Sequence, residues 1–325
     1  MTLGPELPVL DFSQIGPAVG SRFPDICLPD QTGQVLDVHT HRAGRRALFV
    51  VQPCKVQLVE LQDARQNLQP AGLAIFALSY DSVETLAHFA ETRGITYPLL
   101  SDQGSRTISA LGLLNDTHLV EQHAFYGIQT REDQHGVAYP GTFVLDEHGV
   151  VVDKRFEQSY RVRPTAHLFE EFALGASGEI PSSAVREAGD ALTVTAWTDA
   201  STYRPYQQVR LHVEIALQPG IHLYAGPVPD GYTALRLSVE RMDGLTVGES
   251  RWPPAQPFTV KGLDERFLVY QGSVRTVIPL QFSKNLGPTV LALLVDFQTC
   301  TISTCSPPTT LRARVPLNGL DLIRD

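Results

Sequence analysis

No apolar run of about 18 residues occurs in this 325-residue chain, so no membrane-spanning helix and no membrane insertion are expected. Met1 to Gly20 lack a basic segment followed by an apolar one, so no secretory signal is read there. As the sequence stands it predicts a cytoplasmic protein, in a compartment where structural disulfides are rare. A chain trimmed of its signal would look the same and would be extracytoplasmic. Cysteine is scarce: only Cys27, Cys54, Cys300 and Cys305 are present, and only the last two are close together. There is no CxxC, and no cysteine and histidine set has zinc-finger spacing. GxGxxG and P-loop motifs are missing as well, and no cofactor is expected. Positive charge is in deficit, 26 Lys and Arg against 35 Asp and Glu, which argues against nucleic acid as the main partner. What remains, 43% hydrophobic and 19% charged, is soluble globular composition, and the length suggests two domains.

Residues 1–17 carry little pattern and read as a loosely held arm. Phe23 to Asp30 followed by Gln31 to Gln34 predicts a short strand and a turn, with Cys27 as a small buried hydrophobe. The apolar run Ala47 to Val51 predicts a buried strand, which Pro53 breaks, and Cys54 then opens a helical pattern. Leu58, Leu61, Ala64 and Leu68 fall on one face of that helix, which Pro70 and Gly72 end. A cysteine at a helix start faces backbone N–H groups, and the helix dipole favours thiolate there. Leu73 to Ser79 reads as a strand buried on both faces. Asp81 and Glu84 suggest a capping box for a helix that Gly94 stops, and Ser101 to Leu114 suggests another. Residues 115–137 form a long polar loop holding His118, His123 and His135. Those three, like His39 and His41 in a segment read as extended, read as solvated histidines rather than metal ligands, and no metal is expected. Thr142 to Asp146 and Val150 to Val152 flank a turn and predict a hairpin, followed by a helix from Arg163 to Phe172. This alternation predicts an α/β domain over 18–174.

Small and polar residues at 175–189 read as a linker. Beyond it the period becomes two. Val209, Leu211, Val213, Ile215 and Leu217 alternate with polar residues, as do Leu311, Ala313, Val315 and Leu317. Six or more such runs separated by Gly and Pro turns predict an all-β sandwich over 190–325, long enough to bury its own core.

Element order in the first domain, with Gly20 to Gly33, Cys54 to Gln62, Tyr139 to Asp146, Arg155 to Glu157 and Ser159-Tyr160, resembles AhpC/TSA-type (peroxiredoxin-like) redoxins of the thioredoxin fold. The resemblance implies that Pro140 is a cis-proline facing the redox loop and the partner. It also exposes a departure. Relatives sharing the helix carry a CPxC-type loop just before it, whereas here Gln52-Pro53 is all that is left. Cys54 then matches the second cysteine, and the first is absent. Val51 stands where a peroxide-activating motif has Thr or Ser, and Tyr139 where an arginine would help. Cys54 is therefore either a reactive thiolate or a structural remnant.

Residues 190–319 resemble the N-terminal domain of the thiol–disulfide carrier DsbD, an immunoglobulin-like sandwich. Gly220 to Tyr224, Gly262 to Asp264 and Val295 to Pro308 carry the likeness. It implies that Cys300 and Cys305 are a redox-active disulfide, and that Asp264 to Tyr270 is a shortened cap loop with Phe267 as its shielding ring. Phe267 also fits a core position of the next strand. The two cysteines flank a short turn, so their Cα atoms can approach to about 6 Å. A redox-active pair, a structural disulfide and two separate thiols all fit that spacing. A bond closing so small a loop stabilises by only roughly 2 kcal/mol.

The functional expectation is a two-domain thiol–disulfide oxidoreductase. Cys300 and Cys305 would exchange electrons with a redox partner protein of thioredoxin or disulfide-carrier type, or with Cys54, and the more exposed sulfur would react first. The alternatives are a redox-inactive thioredoxin-fold docking module and an AhpC/TSA-like thiol peroxidase.

Overall fold

Arg46–Val51 (β3) and Leu73–Ser79 (β4) are apolar almost throughout and buried on both faces, which places them at the middle of a sheet. The computed structural model describes residues 11–51, 54–115, 137–156, 163–164, 180–259 and 266–323. It divides into two units, the first covering Met1–Ser177 together with Ile323–Asp325 and the second Gly178–Leu322.

In the first unit a short hairpin of Cys27–Pro29 (β1) and Val35–Asp37 (β2) precedes a five-stranded sheet. The sheet adds Leu99–Ser101 (β5), Gly141–Leu145 (β6) and Val151–Phe156 (β7), in the order β5-β4-β3-β6-β7. β3, β4 and β5 run parallel, and β6 and β7 are antiparallel. Alternation along β3 sends Leu48 and Val50 to one face, where Leu58, Leu61, Ala64 and Leu68 of Lys55–Leu68 (α2, after the short helix α1 at Val38–Arg42) pack with Leu86 and Ala90 of Val83–Arg93 (α3). Phe49 and Val51 enter the opposite core with Phe23, Phe76, Ile108 and Phe143. Arg42 is buried, and its guanidinium donates to the carbonyls of Arg45, Asp146 and Glu147 at 2.8, 3.0 and 2.9 Å. It thereby ties α1 to the turn between β6 and β7.

Several local expectations change. The α3 N-cap is Ser82, whose hydroxyl accepts from the Thr85 N–H at 3.3 Å. Asp81 instead bonds the Ser79 hydroxyl. Gly94, at φ 65°, ends the helix as expected. The helix read over Ser101 to Leu114 shrinks to Arg106–Ala110 (α4), because Ser101 stays in the sheet and the buried Asp102 carboxylate accepts from the N–H groups of Thr107 and Ile108 at 3.1 and 2.7 Å. Arg163–Pro164 is extended rather than helical, in keeping with the restriction proline places on the residue before it. The rest of that expected helix, Ser159-Tyr160, residues 116–136 with their three histidines, Gln52-Pro53, and most of the N-terminal arm lie outside the described residues.

The second unit is built from strands of period two. Gln207–Leu217 alternates buried and half-buried residues. It pairs with Leu192–Thr198 on one side and Ser273–Phe282 on the other. A second sheet runs in the order Thr202–Tyr203, Thr309–Gly319, Pro288–Phe297, Arg236–Val239. Val209, Leu211, Val213 and Ile215 meet Leu291, Leu293, Val295, Val315 and Leu317 in one core, which is the expected sandwich. The linker read over 175–189 is too long: Val185–Ala188 is a strand paired with Leu192–Thr198, because a neighbouring edge was open to it.

Candidate functional site

A further sheet of the second unit carries the site. His222–Ala225 lies between Arg266–Gln271 and Thr299–Cys300, with Gln256–Thr259 beyond. Residues opposite one another in an antiparallel pair share a face. His222 is opposite both Gln271 and Cys300, Tyr224 is opposite Val269, and Phe258 is opposite Phe267. The period of two then gathers His222, Tyr224, Phe258, Phe267, Val269 and Cys300 on one face. Tyr224, Phe267, Val269 and Cys300 are its buried cluster, with Tyr232 and Phe258 packed against them. The Phe267 ring lies 4.9 Å from that of Tyr224 and 5.0 Å from that of Tyr232. Phe267 therefore stands at the core strand position read for it, in the same buried cluster as Cys300. Asp264 and Glu265 lie outside the described residues.

Cys300 and Cys305 are joined by a disulfide. Their Cα atoms are 4.0 Å apart rather than about 6 Å, because the two residues pair directly as an antiparallel bridge. The loop between them is closed by other bonds too. The Thr301 N–H donates to the Thr304 carbonyl and the Ser306 N–H to the Thr299 carbonyl, each at 2.8 Å. The Gln298 amide donates to the Ser306 carbonyl at 2.9 Å. The two sulfurs differ in environment. Cys300 is 1% exposed, whereas Cys305 is exposed, with the Tyr224 hydroxyl 3.8 Å from its Sγ. Of the two sulfurs, only that of Cys305 belongs to an exposed residue.

His222 is a residue the sequence reading quoted but did not assign to the site. It is 2% exposed, and its Nε2 has no hydrogen-bond partner among the described residues. Its ring centroid lies 4.3 Å from that of Phe258 and 5.4 Å from that of Tyr224. Burial pushes its pKa below the ordinary imidazole value, so the ring is neutral at neutral pH. The alternation His222-Leu223-Tyr224 in an apolar strand was the available signal.

In the first unit Cys54 is the N-cap residue of α2, with extended φ and ψ of −79° and 162°. Cys54 and Gln57 form a capping box in which the buried Gln57 side-chain oxygen accepts from the Cys54 N–H at 3.1 Å. The thiol is half-buried. Cys54 thus stands at the helix start expected for it, in the first unit, while the disulfide belongs to the second. Pro140 does not meet its expectation. The Tyr139–Pro140 bond is trans, the cis X–Pro bond among the described residues being Gly226–Pro227, and Pro140 is buried rather than partner-facing. Trans is the more stable isomer of an X–Pro bond.

Cys27 is corrected as well. Ile26 is the buried neighbour, at 1% exposure, and alternation turns Cys27 outward, where its S–H donates to Asp37 at 3.2 Å. That hydrogen bond, reinforced by the carboxylate charge, holds the thiol above the usual range. His39 and His41 sit on α1, not in an extended segment. His39 Nδ1 accepts from Arg42 at 3.2 Å, so its Nε2–H donates to the Phe23 carbonyl at 2.9 Å, and the ring is fully used structurally. Among the described residues no group of three or more His, Cys, Asp or Glu is placed to hold a metal ion, and no helix is long and apolar enough to cross a membrane.

A thioredoxin-like sheet with a cysteine at the helix start, and a separate sandwich with a one-sided disulfide, define a protein of the thiol-redox class. The AhpC/TSA family model matches residues 19–154. The model described as thiol:disulfide interchange protein DsbD, N-terminal, matches residues 190–316. A Mycobacterium tuberculosis protein named as a peroxiredoxin is 30% identical over 155 residues, covering 46% of this chain and 88% of that protein. Alkyl hydroperoxide reductase E of Mycobacterium bovis is 28% identical over 153 residues, covering 45% and 89%. The solved structure of peroxidoxin BcpB from Mycobacterium tuberculosis aligns with a TM-score of 0.40 at 20% identity, covering 50% of this chain and 96% of that one. The chain belongs to the AhpC/TSA family through its first unit, and it joins to that unit a domain similar to the DsbD N-terminal domain.

Proposed function

We propose that this chain is a thiol–disulfide oxidoreductase whose reacting centre is the Cys300–Cys305 disulfide. The observation that carries the reading is the unequal exposure of the two sulfurs, one open to a partner and the other buried among aromatic rings. A structural staple has no need of that asymmetry, and an exposed disulfide is the exchangeable kind. The partner is a redox protein carrying a dithiol. Its thiolate attacks the Cys305 Sγ, the Cys300–Cys305 bond breaks, and Cys300 leaves with the electron pair. The partner's second thiolate then attacks its own sulfur in the mixed disulfide and releases Cys305. Two electrons and two protons pass from the partner dithiol to the Cys300 and Cys305 thiols, and the partner departs as a disulfide. Thioredoxin and disulfide-carrier proteins are the partner types that supply this chemistry. Replacing both residues, Cys300→Ser with Cys305→Ser, is expected to abolish disulfide exchange with a reduced dithiol protein. Full turnover in the double variant overturns the reading.

A second reading, thiol peroxidase chemistry at Cys54, is favoured by the helix-start position of that thiol and by the similarity to alkyl hydroperoxide reductase E. The Cys54 thiolate would take the distal oxygen of a hydroperoxide, giving an alcohol and a sulfenic acid, which donor thiols would reduce with loss of water. Alkylation of Cys54 by iodoacetamide near neutral pH at no more than a free thiol's rate removes this reading. So does failure to consume hydroperoxide with any thiol donor. If Cys54→Ser alters stability but no redox assay, the first unit is a docking module.

A further inference from the structure

We propose that His222 is the group that exchanges a proton with Cys300 when the Cys300–Cys305 disulfide opens and closes. The inference rests on the reading of that disulfide as the reacting centre and assigns the residue that serves its buried sulfur.

Three observations meet at this histidine. Cys300 is flanked in register by His222 on one strand and by Cys305 on the other, so the three side chains stand in a row on one face. His222 Nε2 is buried and has no hydrogen-bond partner among the described residues, an arrangement that costs free energy and calls for a reason. The ring is fixed by Phe258 and Tyr224, so it needs no hydrogen bond for its position. Among the described residues the titratable groups of the site are Tyr224 on its own strand, Cys300 on the neighbouring strand, and Tyr232 and Cys305 from adjoining turns. Gln271 opposite it, and Phe258, Phe267 and Val269 on the same face, carry no charge. Burial leaves the ring neutral and able to accept a proton.

Chemistry at Cys300 requires such a group. A thiolate forming there has an apolar setting and is 1% exposed, so water is poorly placed to receive or return its proton. Consider closure of the disulfide by glutathione disulfide. The exposed Cys305 thiolate attacks, releasing one glutathione thiolate and leaving a mixed disulfide. His222 then takes the proton of the Cys300 thiol. The Cys300 thiolate attacks the Cys305 Sγ, the Cys305–glutathione bond breaks, and the second glutathione leaves with the electron pair and receives a proton. Glutathione disulfide gains two electrons, and the Cys300 and Cys305 thiols lose two. Opening by a dithiol runs through the same proton in reverse.

The test uses the reduced full-length protein mixed with glutathione disulfide, quenched in acid and read by mass on the peptide bearing Cys300 and Cys305. His222→Phe keeps a ring against Phe258 and removes the nitrogen. His222→Gln keeps a hydrogen-bonding group that takes no proton, and serves if the Phe variant fails to fold. In either variant the glutathione adduct on Cys305 is expected to accumulate near neutral pH, with ring closure slowed about tenfold or more. The rates are expected to converge with those of the native protein at alkaline pH, where the Cys300 thiolate forms unaided. Closure at the native rate with an unchanged pH profile overturns the proposal. If the native protein forms neither adduct nor disulfide, it is the reading of the disulfide as a reacting centre that fails.

Discussion

Reducing the Cys300–Cys305 bond should leave the sandwich folded and only slightly less stable. The bond closes a loop whose ends are 5 residues apart, and the chain-entropy relation gives about 2 kcal/mol for a ring of that size. The loop is already held by the Thr301–Thr304, Ser306–Thr299 and Gln298–Ser306 hydrogen bonds, which do not need the sulfur bridge. Cys300 also belongs to the small aromatic cluster and not to the main core, where Leu211, Val213, Leu293 and Val315 pack. For a unit of this size about 2 kcal/mol moves the melting temperature by about 4–8 °C. Differential scanning calorimetry of the full chain, oxidised and reduced by a phosphine, reads the shift directly, and Cys300→Ala with Cys305→Ala checks it without reductant. Loss of the sandwich transition, or a fall of more than about 20 °C, would mean that the disulfide is a staple and that its reasoning as an exchangeable bond is wrong.

Phe267→Ala should speed reduction of the disulfide by dithiothreitol about tenfold, because uncovering Cys300 lets water solvate the leaving thiolate, and about 1.4 kcal/mol suffices for that factor. The truncation itself costs about 3–5 kcal/mol of stability, so Leu291→Ala, a comparable loss in the main core, is the control. Equal acceleration in the control shows that destabilisation and not uncovering is responsible. Cys27 should alkylate more slowly than an unhindered thiol in mildly alkaline buffer despite its exposure, because the Asp37 hydrogen bond raises its pKa and leaves less thiolate at a given pH. Asp37→Asn should remove the lag, and an unchanged rate in that variant refutes the assignment.

Strand and helix identity was legible wherever burial on one or both faces writes itself into the sequence. Leu58, Leu61, Ala64 and Leu68 mark the buried face of α2, and Val209 to Leu217 mark a sandwich strand. Features decided by small free-energy differences were not. Ser82 and Asp81 compete as caps one residue apart, and the choice turned on Ser79 engaging Asp81. Cys27 differs from buried Ile26 by one step of a short strand. The Tyr139–Pro140 isomer rests on about 0.5–1 kcal/mol of intrinsic preference and its surroundings. At the site, Cys300 and Cys305 were legible because they are close in sequence. His222 was not, because its neighbours Cys300 and Phe258 come from strands far along the chain and meet it only through register.

The central claim is that Cys300 and Cys305 exchange under native conditions. The direct measurement is to mix the oxidised full-length protein with a reduced dithiol protein in native buffer, quench, and count thiol-specific mass tags on the peptide bearing the two residues. Two tags on that peptide, gained while the circular dichroism of the protein is unchanged, are the predicted result. A disulfide that stays closed until the chain is unfolded would contradict the account.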